Sequence, residues 1–482
     1  MSDLQSRLRE LPQVSALFEE ERLASQLTGR RRQWLTRIIQ VEVDALRDEL
    51  KGETGPVLKR EVLVEITVGR IMEKVRRLTT RSWTRVLNGT GVVVHTNLGR
   101  SCYPDEAAQA MREVALHNSD LEFDLASGTR GHRGRAVEEK AALLANAEDA
   151  LVVNNNAAAV WLAVRHFSRG GRVVLSRGEV VAIGGSFRMH EILAETGCTL
   201  VEVGTTNRTS LDDYRQALQP GTTVLKVHRS NFSVEGFTED VTVGELAELC
   251  REMECPLVYD SGSGAIFPCE DLGLPPGETV LAEDVATGAD LVTCSGDKLL
   301  GGCQAGIIFG SGELVAGLRK HPMRRALRVD KTTLAALDAV LSIYLRAEDR
   351  PQVPTLDLLA AAAPELTERA EKLLAELRPD APDGWTGTVA TGRATVGGGA
   401  FSTAEIESRL VQWHGPKEEL EACHRLLRQG DPALVGRMGH DGLGLDLRTL
   451  QTAELPLAAA AMRRAWRLLT GSVEPEGGSD GS

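Results

Sequence analysis

No apolar run in these 482 residues reaches the roughly 20 needed to cross a bilayer, so no membrane partner is expected. The start, Met1-Ser-Asp-Leu-Gln-Ser-Arg, has no apolar stretch of the kind an export signal requires. None of the eight cysteines forms a Cys-x-x-Cys pair, which removes the usual spacing for structural zinc and any disulfide framework. The expectation is a reducing, cytoplasmic home and no metal site. Nucleotide-binding glycine spacing is missing too. Gly397-Gly-Gly399 reads as a turn, because no GxGxxG or Walker pattern accompanies it. No internal repeat is present. A formal net charge of -13 argues against a general nucleic-acid binder.

What remains is an ordinary globular composition, 42% hydrophobic and 26% charged, long enough for two or three domains. The charge is uneven. Residues 1–85 hold 17 Lys and Arg against 13 Asp and Glu, a net of +4, and the remainder holds 38 against 55, a net of -17. Any polyanionic partner should meet the front of the chain. There, Leu35, Ile39, Val43, Leu46 and Leu50 recur at intervals of three and four, close to Arg30-Arg31-Arg32 and Arg37. This spacing predicts one helix, and a second is expected over 59–77, with Lys51-Gly-Glu-Thr-Gly-Pro56 as the turn between them. Residues 1–80 are taken as a helical N-terminal domain.

From Val86 short apolar runs alternate with helical patterns, as in an α/β domain with a mainly parallel sheet. Strands are expected at 91–95, 150–153, 172–175, 199–203, 224–228, 257–259, 291–294 and 305–309, and a long helix at 332–345. The expected large domain spans 81–340, a smaller C-terminal α/β domain 341–468, and a disordered tail 469–482. In open α/β sheets the ligand lies beyond the carboxyl ends of the strands, so the polar residues there carry the chemistry.

The sharpest such end is Ser295-Gly-Asp-Lys298-Leu-Leu-Gly-Gly302. A lysine held at a strand end, in a pocket that lowers its pKa, suits attack on the aldehyde of pyridoxal 5'-phosphate (PLP). Ser295, three residues earlier, is placed to meet the cofactor phosphate. After the run at 150–153, Asn155-Asn156-Ala157-Ala158 opens an alanine-rich helix whose backbone N–H groups suit a phosphate. After the run at 257–259, Asp260 suits the protonated pyridine nitrogen, which keeps the ring an electron sink. Phosphate loop, Asp260 and Lys298, each at a strand end and in that order, point to a PLP enzyme of the aspartate-aminotransferase fold. Arg100 follows the first expected strand, and Arg325 and Arg328 follow the last and share one helical face. Three arginines converging without acidic partners suit a small tetrahedral oxyanion. Asp330 is the structural alternative, as a neutraliser of one of them.

These residues together resemble the bacterial selenocysteine synthases, the L-seryl-tRNA(Sec) selenium transferases, over nearly the whole chain. The resemblance is carried by Asn88-Gly-Thr-Gly-Val-Val-Val-His-Thr-Asn-Leu-Gly-Arg100, Arg130-Gly-His-Arg133, Asn154-Asn-Asn-Ala-Ala-Ala159, Ser176-Arg-Gly-Glu179, Ile183-Gly-Gly-Ser-Phe-Arg188 and Val203-Gly-Thr-Thr-Asn-Arg208. Ser295-Gly-Asp-Lys-Leu-Leu-Gly-Gly302 and Arg325-Ala-Leu-Arg328 complete it. It implies a fold-type I PLP enzyme with a mainly parallel seven-stranded sheet and Lys298 as the cofactor lysine.

The implied reaction converts seryl-tRNA(Sec) to selenocysteinyl-tRNA(Sec). Lys298 takes the Cα proton, the β-hydroxyl leaves to give an aminoacrylyl species, and selenophosphate supplies selenium. Asp297 is expected to position substrate or relay the hydroxyl proton, and Arg100, Arg325 and Arg328 to hold selenophosphate. The resemblance further implies a ring of dimers, a decamer, with N-terminal domains that grip tRNA and Arg100 serving a neighbour's pocket. Cys303 stands where the family usually has proline and is taken as a packing residue. Two rivals stand beside this reading. One is a PLP lyase of the same scaffold acting on a small amino acid or amino sugar phosphate, and the other is a non-catalytic tRNA-binding protein.

Overall fold

Apolar residues spaced three and four apart wind the front of the chain into two long helices, α1 over Arg31–Gly52 and α2 over Arg60–Thr79. The computed structural model describes residues 3–24, 31–52, 58–80, 82–183, 187–401 and 404–471. Most of the expected turn at 51–56, Arg30, the centre of the 183–188 motif and the tail from 472 lie outside these. The chain divides into two units, Met1–Arg85 and Val86–Ser482.

In the first unit α1 and α2 pack antiparallel through Leu35, Ile39 and Val43 against Val68, Ile71 and Val75. Ion pairs Arg70–Glu49 at 2.8 Å and Lys74–Glu42 at 2.6 Å link the two helices. Further pairs join Arg22 to Glu65, Arg47 to Asp44, Lys51 to Asp48 and Arg76 to Glu73. Exposed pairs of this kind each stabilise by about 0–1 kcal/mol, so their main effect is to cancel surface charge. Arg32, Arg37, Lys59, Arg60 and Arg77 are exposed and have no such partner among the described residues.

The second unit is built on seven strands: β1 Asp149–Val153, β2 Arg172–Ser176, β3 Thr199–Val203, β4 Thr223–Val227, β5 Leu257–Gly262, β6 Leu291–Ser295 and β7 Gly306–Gly310. Their order across the sheet is β1-β7-β6-β5-β4-β2-β3, and only β7 runs antiparallel to its neighbours. This is the expected mainly parallel seven-stranded sheet. Alternate side chains leave opposite faces, as the two-residue period of a strand requires. Leu151, Val153, Leu291 and Ile308 pack with helix α3 (Asn156–Ser168). Ala150, Val152, Val292 and Ile307 pack on the other face with helix α4 (Lys331–Arg346).

One expected strand is absent. Residues 91–95 make a single bridge, Val92 to Thr395, and the strand lies earlier, Val86–Asn88, parallel to Ala433–Val435. The Asn88 side chain accepts the Thr90 N–H at 3.1 Å and donates to the Val92 carbonyl at 3.0 Å, which turns the chain out of the strand. Gly91 completes the turn at φ +72°, where a Cβ would collide with Arg437 and Asp446.

The C-terminal part forms a four-stranded antiparallel sheet of β8 (Thr386–Thr395), β9 (Glu405–His414), β10 (Arg437–Gly439) and β11 (Gly442–Asp446), in the order β8-β9-β11-β10. Helices Ala363–Leu377, Lys417–Arg428 and Leu455–Leu469 cover it, and Trp413 packs edge-on against Trp466. The expected boundary at 340/341 falls inside α4.

Candidate active site

The carboxyl ends of β1, β4, β5 and β6 open onto one cavity of about 270 Å³. Lys298 reaches it from the loop after β6 and is 6% exposed. Its ammonium donates to no protein group among the described residues. Burial pulls its pKa below the ordinary lysine value, opposed by the charges of Asp260 and Asp297. A buried amine without a partner is costly, and it is also the state in which an amine can attack a carbonyl.

Asp260 was expected just after a strand and instead stands within β5, whose pairing with β4 and β6 runs on past Tyr259. Its Oδ1 accepts from Asn156 Nδ2 at 2.8 Å and Thr293 Oγ1 at 3.0 Å. Oδ2 has no protein donor among the described residues. Burial raises its pKa, and these two hydrogen bonds and Lys298 oppose the rise.

Asn155, Asn156 and Ala157 line the cavity at the start of α3. The Asn155 side chain accepts the Ala158 N–H at 2.8 Å, so that N–H is already used by the cap. The N–H groups of Asn156 and Ala157 have no acceptor among the described residues. Ser295 ends β6, and its hydroxyl faces the same cavity.

Arg100 also lines this cavity, and its Nη1 lies 2.5 Å from Asp297 Oδ2. Beside it the Ser101 hydroxyl donates to the carbonyls of Asp297 at 3.0 Å and Lys298 at 2.7 Å. The segment after the Asn88–Gly91 turn thus clamps the lysine loop. The expectation that Arg100 has no acidic partner is wrong.

Arg325 and Arg328 lie elsewhere in the subunit, on a second cavity of about 300 Å³ that Arg130, Arg133, Arg319 and Arg324 also line. They do not share a helical face. Arg325 closes a short 3-10 turn, Pro322–Arg325, and Arg328 lies beyond it, outside any regular element. The helix restarts at Lys331 because Asp330, with extended backbone, caps it by accepting the N–H groups of Thr332 at 2.8 Å and Thr333 at 3.1 Å. Asp330 therefore neutralises neither arginine. Arg328 pairs with Glu122 at 3.3 Å, again against expectation, and Arg325 has no acid at ion-pair distance among the described residues.

Cys303 is 1% exposed, and its thiol donates to the Thr333 carbonyl at 3.3 Å. Burial pushes its pKa up to about 12, so it packs and does not react.

Sequence reasoning missed Thr96, His228, Ser230, Gln304 and Gly398, which also line the cavity. His228 ended an expected strand, and the rule that selected Asp260 would have selected it. Gly398 had no such signal. Gly397, Gly398 and Gly399 have φ of +79°, +66° and +73°. A Cβ on Gly398 would stand 2.5 Å from Val94 Cγ1, so only glycine lets this segment pass that close to the chain before Arg100.

Among solved structures, a D-glucosaminate-6-phosphate ammonia-lyase has the same fold at 21% identity, with a TM-score of 0.58 over 82% of this chain and 99% of that one. That likeness and the strand order are those of the expected fold-type I large domain. An L-seryl-tRNA(Sec) selenium transferase of Solidesulfovibrio magneticus is 42% identical over 470 residues, 96% of this chain and 99% of its own length. One of Geobacter sulfurreducens is 41% identical over 455 residues, 94% of this chain and 98% of its own. The family described as SelA, L-seryl-tRNA selenium transferase, matches residues 86–451, which hold every residue of both cavities. With the lysine, the aspartates and the arginines all inside that match, this chain belongs to the L-seryl-tRNA(Sec) selenium transferase family.

Proposed function

We propose that the Lys298 cavity holds pyridoxal 5'-phosphate and that its residues convert the serine of seryl-tRNA(Sec) to selenocysteine, with selenophosphate as the selenium donor. The cofactor fits the groups present. The unpartnered Lys298 amine matches an aldehyde, the free Oδ2 of Asp260 a pyridinium N–H, and Ser295 with the Asn156 and Ala157 N–H groups a phosphate. When bound, it supplies an electron sink conjugated to the substrate's Cα. Membership in the transferase family favours this reaction over the lyase alternative, since the likeness to a lyase is one of fold.

Lys298 Nζ is the base that removes the Cα proton, as its burial and lowered pKa support. The proton that Lys298 has taken passes, by way of Asp297 held by Arg100, to the β-hydroxyl, which leaves Cβ as water. Selenium then adds at Cβ as its bond to phosphorus breaks, the phosphoryl group passing to water as phosphate. Arg325 and Arg328 bind the selenophosphate anion in their own cavity, which the excess of arginine over acid there supports. They are not beside Lys298 within one subunit, and we read this as the mark of a site completed between subunits. The assembly is then a homo-oligomer, a decameric ring of dimers. Residues 1–80 bind the tRNA through the cations that internal acids leave unpaired. No helix among the described residues is long and apolar enough to cross a membrane, and all eight cysteines are free, which supports a cytoplasmic location.

The single observation that carries the reading is the buried, unpartnered amine of Lys298 facing Asp260 and Ser295 across one cavity. Lys298→Ala should abolish both the visible absorbance of the bound cofactor and turnover. An unchanged spectrum in that variant refutes it.

A further inference from the structure

Glu278 is 7% exposed and belongs to none of the groups assigned so far. Its two carboxylate oxygens reach two different walls of the Lys298 cavity. Oε1 accepts the backbone N–H of Phe401 at 3.1 Å, just beyond the glycine triplet that brings Gly398 to the cavity. Oε2 lies 3.6 Å from His228 Nδ1. His228 follows β4 and lines the cavity, and its Nε2 has no protein partner among the described residues. A buried carboxylate is costly unless both oxygens are used, and an apolar side chain would fill this place at less cost. Here Oε1 is hydrogen-bonded and Oε2 faces the His228 ring, and both converge on the reaction cavity.

We propose that Glu278 is a positioning residue for the reaction, orienting the His228 ring at the cavity and tying that ring to the glycine segment 397–399. The proposal rests on the reading of this cavity as the cofactor site. Nε2 of His228 is then aimed at a polar atom of the bound group, the class to which the cofactor's ring hydroxyl belongs. The other charged groups around the pair are Asp260, Asp284 and Lys298, with Tyr259 and Cys269 next to Glu278. Burial pushes the Glu278 carboxyl above its ordinary range, and the His228 charge opposes that. Removing His228 therefore lets Glu278 take up a proton, and removing the Glu278 carboxylate leaves the His228 ring without its anchor.

The test uses the full-length, cofactor-loaded protein and the pH titration of its visible absorbance. His228→Asn and Glu278→Gln should each shift the midpoint by on the order of one pH unit, because each disturbs the polar contact that His228 makes with the bound group. The double variant should shift it no further, since both changes remove the same contact. In both single variants kcat should fall while the KM for seryl-tRNA(Sec) holds. Glu278→Gln keeps an acceptor for the Phe401 N–H, whereas Glu278→Ala loses it and should also release cofactor about tenfold faster. A midpoint that stays in place, shifts that add, or a drop in Tm alone would show Glu278 to be mere packing. His228→Asn leaves the Glu278–Phe401 bond in place, so it decides the matter even where a Glu278 variant does not fold. Loss of the chromophore in Lys298→Ala tests the cofactor reading separately. A wild-type protein without that chromophore overturns both.

Discussion

Arg100 and Asp297, 197 positions apart in the chain, meet at 2.5 Å beside Lys298. Asp297 is 8% exposed in its side chain and Arg100 32%, so the pair closes the lysine loop with its aspartate inward. An anion arriving at this cavity finds Arg100 already engaged. Arg100 and Arg325 should therefore fail differently when removed.

Arg325→Ala should still eliminate the serine hydroxyl and fail to add selenium. Arg100→Ala frees Asp297 and should slow both half-reactions. Single-turnover assays that follow hydroxyl loss separately from selenium incorporation check this. Equal loss of both steps in Arg325→Ala would make that arginine structural.

Asp260→Asn keeps the size of the side chain and removes the charge proposed to meet the pyridine nitrogen. Removal of the Cα proton should slow by more than about tenfold, roughly 1.4 kcal/mol of barrier. Exchange of the Cα hydrogen with solvent deuterium reports the step, and a smaller effect counts against this role.

Asp330→Ala should destabilise the second unit by about 1 kcal/mol, the usual cost of losing an N-cap, without abolishing catalysis. Burial alone would raise the pKa of Asp330, but hydrogen bonds from Thr332 and Thr333 outweigh it and hold the group at about 2, well below the ordinary aspartate range. The stabilisation is therefore fully present above about pH 4 and lost as pH falls toward about 2. Acid unfolding of the wild type should show this loss between those values, and the variant should not.

Arg32, Arg37 and Arg77 should carry the salt dependence of tRNA binding. Each change to Gln should flatten the slope of log K against log salt by about 0.7–0.9 if that residue meets a phosphate. Arg70→Gln, whose charge is already paired with Glu49, serves as the control and should change the slope little. An unchanged slope in all three leaves the basic front a solvated helical hairpin.

The order of short apolar runs in the sequence determined seven of the eight expected strands to within about three residues at each end, because burial on both faces makes a parallel strand a local apolar run. The same locality exposed Lys298, Asp260 and Ser295, polar groups at the ends of such runs. Helix spacing likewise placed α1, α2 and α4, whose apolar stripes are written every three or four residues. Tertiary structure alone decided which charges meet. Nothing in the neighbourhood of Arg100 in the sequence indicates Asp297, and nothing around Glu278 indicates His228 or Phe401. Those pairings depend on sheet order and on glycines that let separate segments approach. The separation of Arg325 and Arg328 from Arg100 was equally hidden, since a cap at Asp330 and a 3-10 turn, and not residue spacing, set where they point. Local patterns record what each segment buries, whereas a charge pair is settled only when distant segments are brought together.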